Sequence, residues 1–310
     1  MTEIIPFHRP YPLSEAELRY IQTETRKIIK SGQLSKNGKY VQELEERIKE
    51  MYNVEYVLTT SNCTMGLMIA LEFIDKMYFI QVPMFEWWSV LYALNFLKKS
   101  IAWNDIDLKT WLPIESYGGH SLYINTFGNM GKSTQDDTIY DSSHCLGATI
   151  PDMGLCHVFS LAPTKLITSC EGGIIITNNE EFYKFAKERR DKMARMSEIH
   201  AMIGNVYLEH LDGILYWKKF VHDYYKDHIP GEFQEIPDNS TYNTIGFLNT
   251  HNLIIPEEIE YKQYYDPIIN LGPDVNKNAI YIQEKIICLP SYYSCPYEKI
   301  VEKIREKNRL

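Results

Sequence analysis

Short apolar runs alternate with longer helical stretches through the first two-thirds of this chain. Ser14-Glu15-Ala16-Glu17 has the form of a capping box and predicts a helix running towards Ser31-Gly32. A second helix is expected over residues 40–51, a strand over Tyr56–Thr60, and a helix starting near Thr64. Further strands are expected at 78–82, 101–103, 121–125, 138–140, Cys156–Ser160 and Gly173–Thr177. Helices fill in at 87–97, 180–190 and, as the longest single element, 197–228. Strands alternating with helices predict an α/β fold, a mostly parallel sheet covered on both faces by helices. Pro230-Gly231 breaks the pattern, and residues 232–310 are more irregular, with strand and helix candidates mixed. The expected organisation is therefore a large domain over residues 1–228 and a smaller α+β domain over residues 229–310.

Composition narrows the classes of function. A length of 310 residues, 45% of them hydrophobic, is enough for one large core plus a small one. A formal net charge of -9 argues against nucleic acid as a partner, while leaving room for an anionic small molecule in a locally positive pocket. No apolar run reaches the length of a membrane span, and Met1 to Arg9 lacks the apolar core of a signal peptide, so a cytoplasmic protein is expected. The six cysteines (Cys63, Cys145, Cys156, Cys170, Cys288, Cys295) are scattered, with no C-x-x-C pair to suggest a metal. They read as reduced thiols, mostly buried.

Four stretches carry candidate chemistry. Thr59-Thr60-Ser61-Asn62-Cys63-Thr64-Met65-Gly66-Leu67 is a strand–turn–helix junction, where free backbone N–H groups and the helix dipole can seat a phosphate. A plain helix cap accounts for the same residues. Pro83-Met84-Phe85-Glu86-Trp87-Trp88 offers an aromatic face for a flat heterocycle, or a pair of core or interface tryptophans. Asp141-Ser142-Ser143-His144 ends an apolar run, and a carboxylate at the C-terminal edge of a strand lies where ligands bind in open α/β sheets. There Asp141 could face a ring nitrogen and His144 a phenolic oxygen; a turn cap and a satisfied core histidine are the alternatives. Ser160 ends another apolar run, and Lys165 comes soon after it in Leu161-Ala162-Pro163-Thr164-Lys165. A lysine desolvated in an apolar pocket has a lowered pKa and becomes a nucleophile. Phosphate turn, aromatic, acid, serine and lysine, in that order, are the parts a pyridoxal phosphate (PLP) enzyme needs.

Taken together, these residues resemble the DegT/StrS family of PLP-dependent sugar aminotransferases, which share the aspartate-aminotransferase-like fold. The likeness runs nearly end to end. Ile5-Pro6-Phe7 with Arg9-Pro10 resembles the family opening, and the segment from Ser31 to Val41 is similar to the glycine-containing loop of perosamine-synthase-like members. Arg195-Met196-Ser197-Glu198 resembles a family helix start, and Leu289-Pro290 a C-terminal dipeptide. The resemblance implies Lys165 as the Schiff-base lysine and proton carrier, and Asp141 as the acid at the ring nitrogen. It implies Cys63, Thr64, Trp87, His144 and Ser160 as further cofactor contacts. The implied substrates are an amino-acid donor, usually glutamate, and a keto sugar that is typically nucleotide-linked. A homodimer with shared active sites is implied as well.

The chain also departs from the family pattern. It is shorter, with stretches trimmed between Asn129 and Thr138 and between Glu188 and Arg195. Met193 stands where an asparagine reaches the neighbouring subunit's cofactor phosphate, Asp191 replaces a glycine, and Cys63 stands where glycine is common. Arg195 is the residue that could supply positive charge there instead. Two alternatives accompany the aminotransferase reading. One is a PLP-dependent sugar dehydratase, which Lys165 and the scattered thiols argue against. The other is a non-catalytic homologue that binds PLP or a sugar nucleotide.

Overall fold

The computed structural model describes residues 4–75, 77–115, 119–135, 137–265 and 273–310. Seven strands form one sheet: β1 (Tyr56–Thr60), β2 (Phe79–Pro83), β3 (Ser100–Asn104), β4 (His120–Ile124), β5 (Thr138–Asp141), β6 (Cys156–Ser160) and β7 (Gly173–Thr177). Their order across the sheet is β1-β7-β6-β5-β4-β2-β3. The run from β6 to β3 is parallel, and β7 is antiparallel to both of its neighbours, so β1 points the same way as β6. The expectation of a mostly parallel sheet holds, with β7 as the exception. Its reversal comes from its connection: residues 161–172 form a loop rather than a crossover helix, and a loop returns the chain antiparallel.

Period-two alternation puts the strands between two apolar layers. Ile174 and Ile176 of β7 face one layer and Ile175 the other. The first layer is covered by α1 (Glu15–Ser31), α2 (Lys39–Tyr52) and α6 (Glu198–Leu208), the second by α3 (Cys63–Phe73), α4 (Trp88–Phe96) and α5 (Glu180–Met193). The capping box of α1 forms as its sequence requires: Ser14 Oγ accepts from the Glu17 amide at 3.3 Å, and Glu17 accepts from the Ser14 amide at 2.7 Å. α3 lies so close to the sheet that a Cβ at Gly66 would come within 2.7 Å of Val158 Cγ1.

The long helix expected over 197–228 is two helices, α6 and α7 (Leu211–His228). The break at Glu209–His210 is held by partners on other helices that a continuous helix would pull away from. His210 Nε2 meets Glu17 Oε1 at 2.6 Å, its ring stacks on Tyr11 at 4.1 Å, and Glu209 pairs with Arg47 at 2.7 Å. Beyond α7 a three-stranded antiparallel sheet, β8 (Glu232–Phe233), β9 (Ile245–Leu248) and β10 (Ile286–Leu289), is flanked by α8 (Pro273–Lys285) and α9 (Tyr297–Asn308). The same core takes Val221 and Tyr225 from α7 and Ile5 from the N-terminal segment, which bonds to Glu258 and Glu260. Among the described residues no helix is long and apolar enough to cross a membrane.

Candidate active site

The C-terminal ends of β1, β5 and β6 open onto one edge of the large sheet. Register aligns them: Thr60 and Ser160 both pair with Gly173, two strand spacings (about 10 Å) apart. Past Thr60 the chain turns into α3. Asn62 caps that helix, its side-chain oxygen accepting from the Met65 amide at 2.8 Å. The amides of Cys63 and Thr64 find no acceptor among the described residues, which leaves the helix N-terminus able to bind an anion. Gly173 makes the turn possible, because a Cβ there would lie 2.6 Å from the Asn62 carbonyl carbon. Ser160 Oγ caps its own loop, accepting from the Ala162 amide at 3.3 Å.

Asp141, the last residue of β5, is buried, with Oδ1 accepting from the Ser143 amide at 2.9 Å. Burial raises its pKa; the bonds from Ser143 and the charge of Lys165 work the other way. Behind it stands a polar brace. Asn125 Nδ2 donates to Ser142 Oγ at 2.9 Å, and Ser142 Oγ lies 2.8 Å from His157 Nδ1. His157 Nε2 lies 2.8 Å from the Asp152 carbonyl, so Nε2 carries the proton and Nδ1 accepts. This chain ties β5 to β6 just below Asp141. His144 lies on the same turn; burial, then the charges of Lys165 and Lys218, holds its pKa well below the usual histidine value, so its ring is neutral.

Lys165 sits in the β6–β7 loop, where its amide donates to the Ala162 carbonyl at 3.1 Å. The residue is half-buried, and its amine is desolvated by the surrounding protein. Burial lowers its pKa, opposed by Cys63, Asp141 and Cys145, so these groups share one electrostatic neighbourhood. Burial also raises the Cys63 and Cys145 thiols well above their ordinary values and keeps them protonated.

Other candidates stand further out. Trp87 precedes α4 at the same edge, 47% exposed, with its ring against Trp88, Tyr264 and Tyr265 at 6.0–6.2 Å. Arg195 is exposed and makes no ion pair among the described residues. It adjoins the phosphate turn only through the neighbouring Ala194 carbonyl, which accepts from the Ser61 amide at 2.8 Å. Met193 ends α5 and is exposed, so the trimmed stretch after Glu188 is helix and then a three-residue link to the Ser197 cap of α6. Between Asn129 and Thr138 the described residues contain no helix, in line with the other trimmed stretch.

Several groups of the site give little local signal in the sequence. Asn125, Ser142 and His157 form the brace, but His157 is a lone polar residue in an apolar run, and Asn125 and Ser142 are ordinary polar residues just past the ends of β4 and β5. Glu86, next to Trp87, is 6% exposed with both carboxyl oxygens unpartnered among the described residues, and burial and then Asp141 raise its pKa well above the carboxylate range. Lys218 carries a readable signal that the motif pattern passes over: Ile214, Lys218, Val221 and Tyr225 share one helical face, three of them apolar, and all four are buried.

The donor set fits pyridoxal phosphate. Two unbonded amides with the Ser61, Thr64 and Ser160 hydroxyls suit a phosphate, Asp141 a ring nitrogen, and Lys165 an aldehyde. Comparison with known proteins agrees. The model of the DegT/DnrJ/EryC1/StrS aminotransferase family matches residues 16–115 and 109–304. The chain is 24% identical to a dTDP-4-amino-4,6-dideoxy-D-glucose transaminase of Shigella dysenteriae, over 90% of this chain and 93% of that protein. It is 25% identical to a GDP-perosamine synthase of Escherichia coli O157:H7, over 73% of this chain and 71% of that protein. In structure it is similar to Helicobacter pylori PseC, an aminotransferase of pseudoaminic acid biosynthesis, with a TM-score of 0.82 at 17% identity over 99% of this chain and all of the other (100%). That likeness establishes the aspartate-aminotransferase-like fold.

Proposed function

The chain belongs to the DegT/DnrJ/EryC1/StrS aminotransferase family, with pyridoxal phosphate as its cofactor, and we propose that it moves an amino group from glutamate to a nucleotide-linked keto sugar. The observation that carries this reading is Lys165 desolvated beside Asp141, at the sheet edge where the β1–α3 turn offers unbonded amides.

Bound pyridoxal phosphate supplies an electron sink for the carbanion formed at the carbon that loses or gains the amino group. The protein supplies position and protons. The Cys63 and Thr64 amides with the hydroxyls of Thr64 and Ser160 would hold the phosphate, and Arg195 would add charge from beside the turn. Asp141 would keep a proton on the ring nitrogen, while His144, neutral, would bond the phenolic oxygen. Trp87 would supply an aromatic face for the ring. Lys165 Nζ is the group that would hold the cofactor's aldehyde carbon. The same amine, kept accessible in its neutral form by burial, would move the proton at the donor's α-carbon.

A homodimer belongs to the same proposal. Trp88, Tyr92 and Phe96 recur at four-residue spacing on α4 and are 61%, 54% and 62% exposed, a stripe continuous with Trp87. The division into residues 1–228, which carry every cofactor contact named above, and 229–310 is likewise proposed. The test is a half-reaction. Protein loaded with PLP should lose its visible absorbance on addition of glutamate, release 2-oxoglutarate, and regain the band with a nucleotide-linked 4-keto sugar. Loss with glutamate but no recovery with any such sugar would remove the acceptor from this reading.

A further inference from the structure

A second cluster of positive groups lies against Lys165, on the side formed by the N-terminal segment and α7. A narrow pocket there is lined by His8, Arg9, Lys165, Lys218, Tyr292 and Tyr293, among others. Lys218 is 7% exposed, with no carboxylate partner among the described residues. Its Nζ donates to the Asn243 carbonyl at 2.7 Å and to Ser291 Oγ at 2.9 Å, which leaves a third N–H without an acceptor among the described residues. Arg9 lies over the Tyr292 ring at 5.8 Å and makes no ion pair among the described residues. His8 adds no charge: burial, then the charge of Lys218, lowers its pKa to about 4. An unpaired buried cation is unfavourable unless something anionic answers it. Of the carboxylates around it, Glu17 is engaged with Ser14 and His210, and Asp141 accepts from the Ser143 amide; neither is bonded to Lys218 or Arg9.

We propose that Lys218 and Arg9, walled by Tyr292 and Tyr293, form the subsite that takes a carboxylate of the amino-acid donor. The proposal rests on the aminotransferase reading above. Distance along the ligand chooses between the two anionic groups such an enzyme meets. An amino acid's α-carboxylate is one carbon from its nitrogen's carbon, so it must lie beside Lys165, as this pocket does. A nucleotide's phosphates are separated from the reacting carbon by the sugar. The aromatic walls lower the polarity around the Lys218 amine and strengthen the attraction there. The lysine's free N–H and the arginine fork supply charge-assisted hydrogen bonds.

Glutarate tests this directly, since it has carboxylates but no amino or keto group and cannot react. In the PLP-loaded protein it should raise the melting temperature saturably. Lys218→Gln should weaken that apparent affinity by about tenfold or more, and Arg9→Gln by several-fold, while Lys218→Arg stays within about threefold of the parent. Steady-state kinetics of the same variants should show a higher KM for glutamate with kcat and the KM for the sugar nucleotide little changed. Arg9 is exposed, so its variant carries the test if Lys218→Gln does not fold. Glutarate stabilising every variant equally, or not at all, overturns the subsite. So does dTDP losing affinity in these variants while glutarate keeps its own. If PLP gives no visible band that depends on Lys165, the aminotransferase reading falls and this inference with it; a normal band with glutarate binding indifferent to Lys218 overturns this inference alone.

Discussion

Gly173 and His157 carry no chemistry in the proposed reaction, yet each holds the groups that do. At Gly173 the space for a methyl is filled by Thr60 Oγ1 at 2.5 Å and by the Asn62 carbonyl at 2.6–2.7 Å. Backbone cannot step aside as a side chain can, so Gly173→Ala must push the β1–α3 turn outward, at a cost of about 1–3 kcal/mol. PLP titration monitored by absorbance should show affinity reduced by about tenfold or more; an unchanged affinity would mean that the turn does not hold the phosphate. His157 makes stability depend on pH. Burial, opposed by its bond to the Asp152 carbonyl and by the Asp152 charge, lowers its pKa to about 4, against about 6.5 in the unfolded chain. Between those values the unfolded chain binds the extra proton. The contribution is therefore complete above pH 6.5 and is lost as the pH falls towards 4, about 3 kcal/mol in all. Urea unfolding across that range should show the slope, and His157→Gln should flatten it by about that amount. The acid, the lysine and the phosphate turn were legible as candidates because each ends or closely follows an apolar run. The brace was not, because Ser142 and His157 meet only through the pairing of β5 with β6, which no local pattern encodes.

At the scale of elements, α2 depends on a cap supplied from another helix. Its N-cap, Gly38, has no side chain to offer, and the Tyr40 and Val41 amides donate instead to the Glu198 carboxylate of α6 at 2.8 and 3.3 Å. Glu198→Ala leaves these donors without a partner and should cost about 1–3 kcal/mol. Gly38→Ser alone would meet that carboxylate at 2.5–2.8 Å, but added to Glu198→Ala it fills the freed space as an ordinary cap. Thermal melting should show it recovering about 1 kcal/mol. A Glu198→Ala protein as stable as the parent would mean that α2 does not need this cap. The elements themselves were legible where propensity and punctuation agree, as at Ser14, at Tyr56–Thr60 and at Gly173–Thr177. The break between α6 and α7 was not: residues 197–228 have helical pattern throughout, and only tertiary partners of Glu209 and His210 interrupt it.

For the whole molecule, the α4 aromatic stripe and the net charge of -9 make opposite demands on association, and the proposed homodimer requires the apolar stripe to outweigh the charge. Sedimentation equilibrium should give twice the 36.4 kDa chain mass, and Trp88→Glu with Phe96→Lys should return it to the single chain; a parent protein at 36.4 kDa rules out the dimer. The likeness to a family was legible in the order of its motifs, whereas the Lys218 pocket was not, because it joins residues 8–9, 165, 218 and 292–293 from four separate parts of the chain. That pocket also sets the sharpest test, since it is lined by two lysines, Lys165 and Lys218, within reach of one ligand. Borohydride reduction of the PLP-loaded protein, then peptide mass spectrometry, locates the amine that holds the cofactor. The pyridoxyl group is expected on Lys165 alone, with none in Lys165→Ala; its appearance on Lys218, or on no lysine in a folded protein, would overturn the assignment of Lys165.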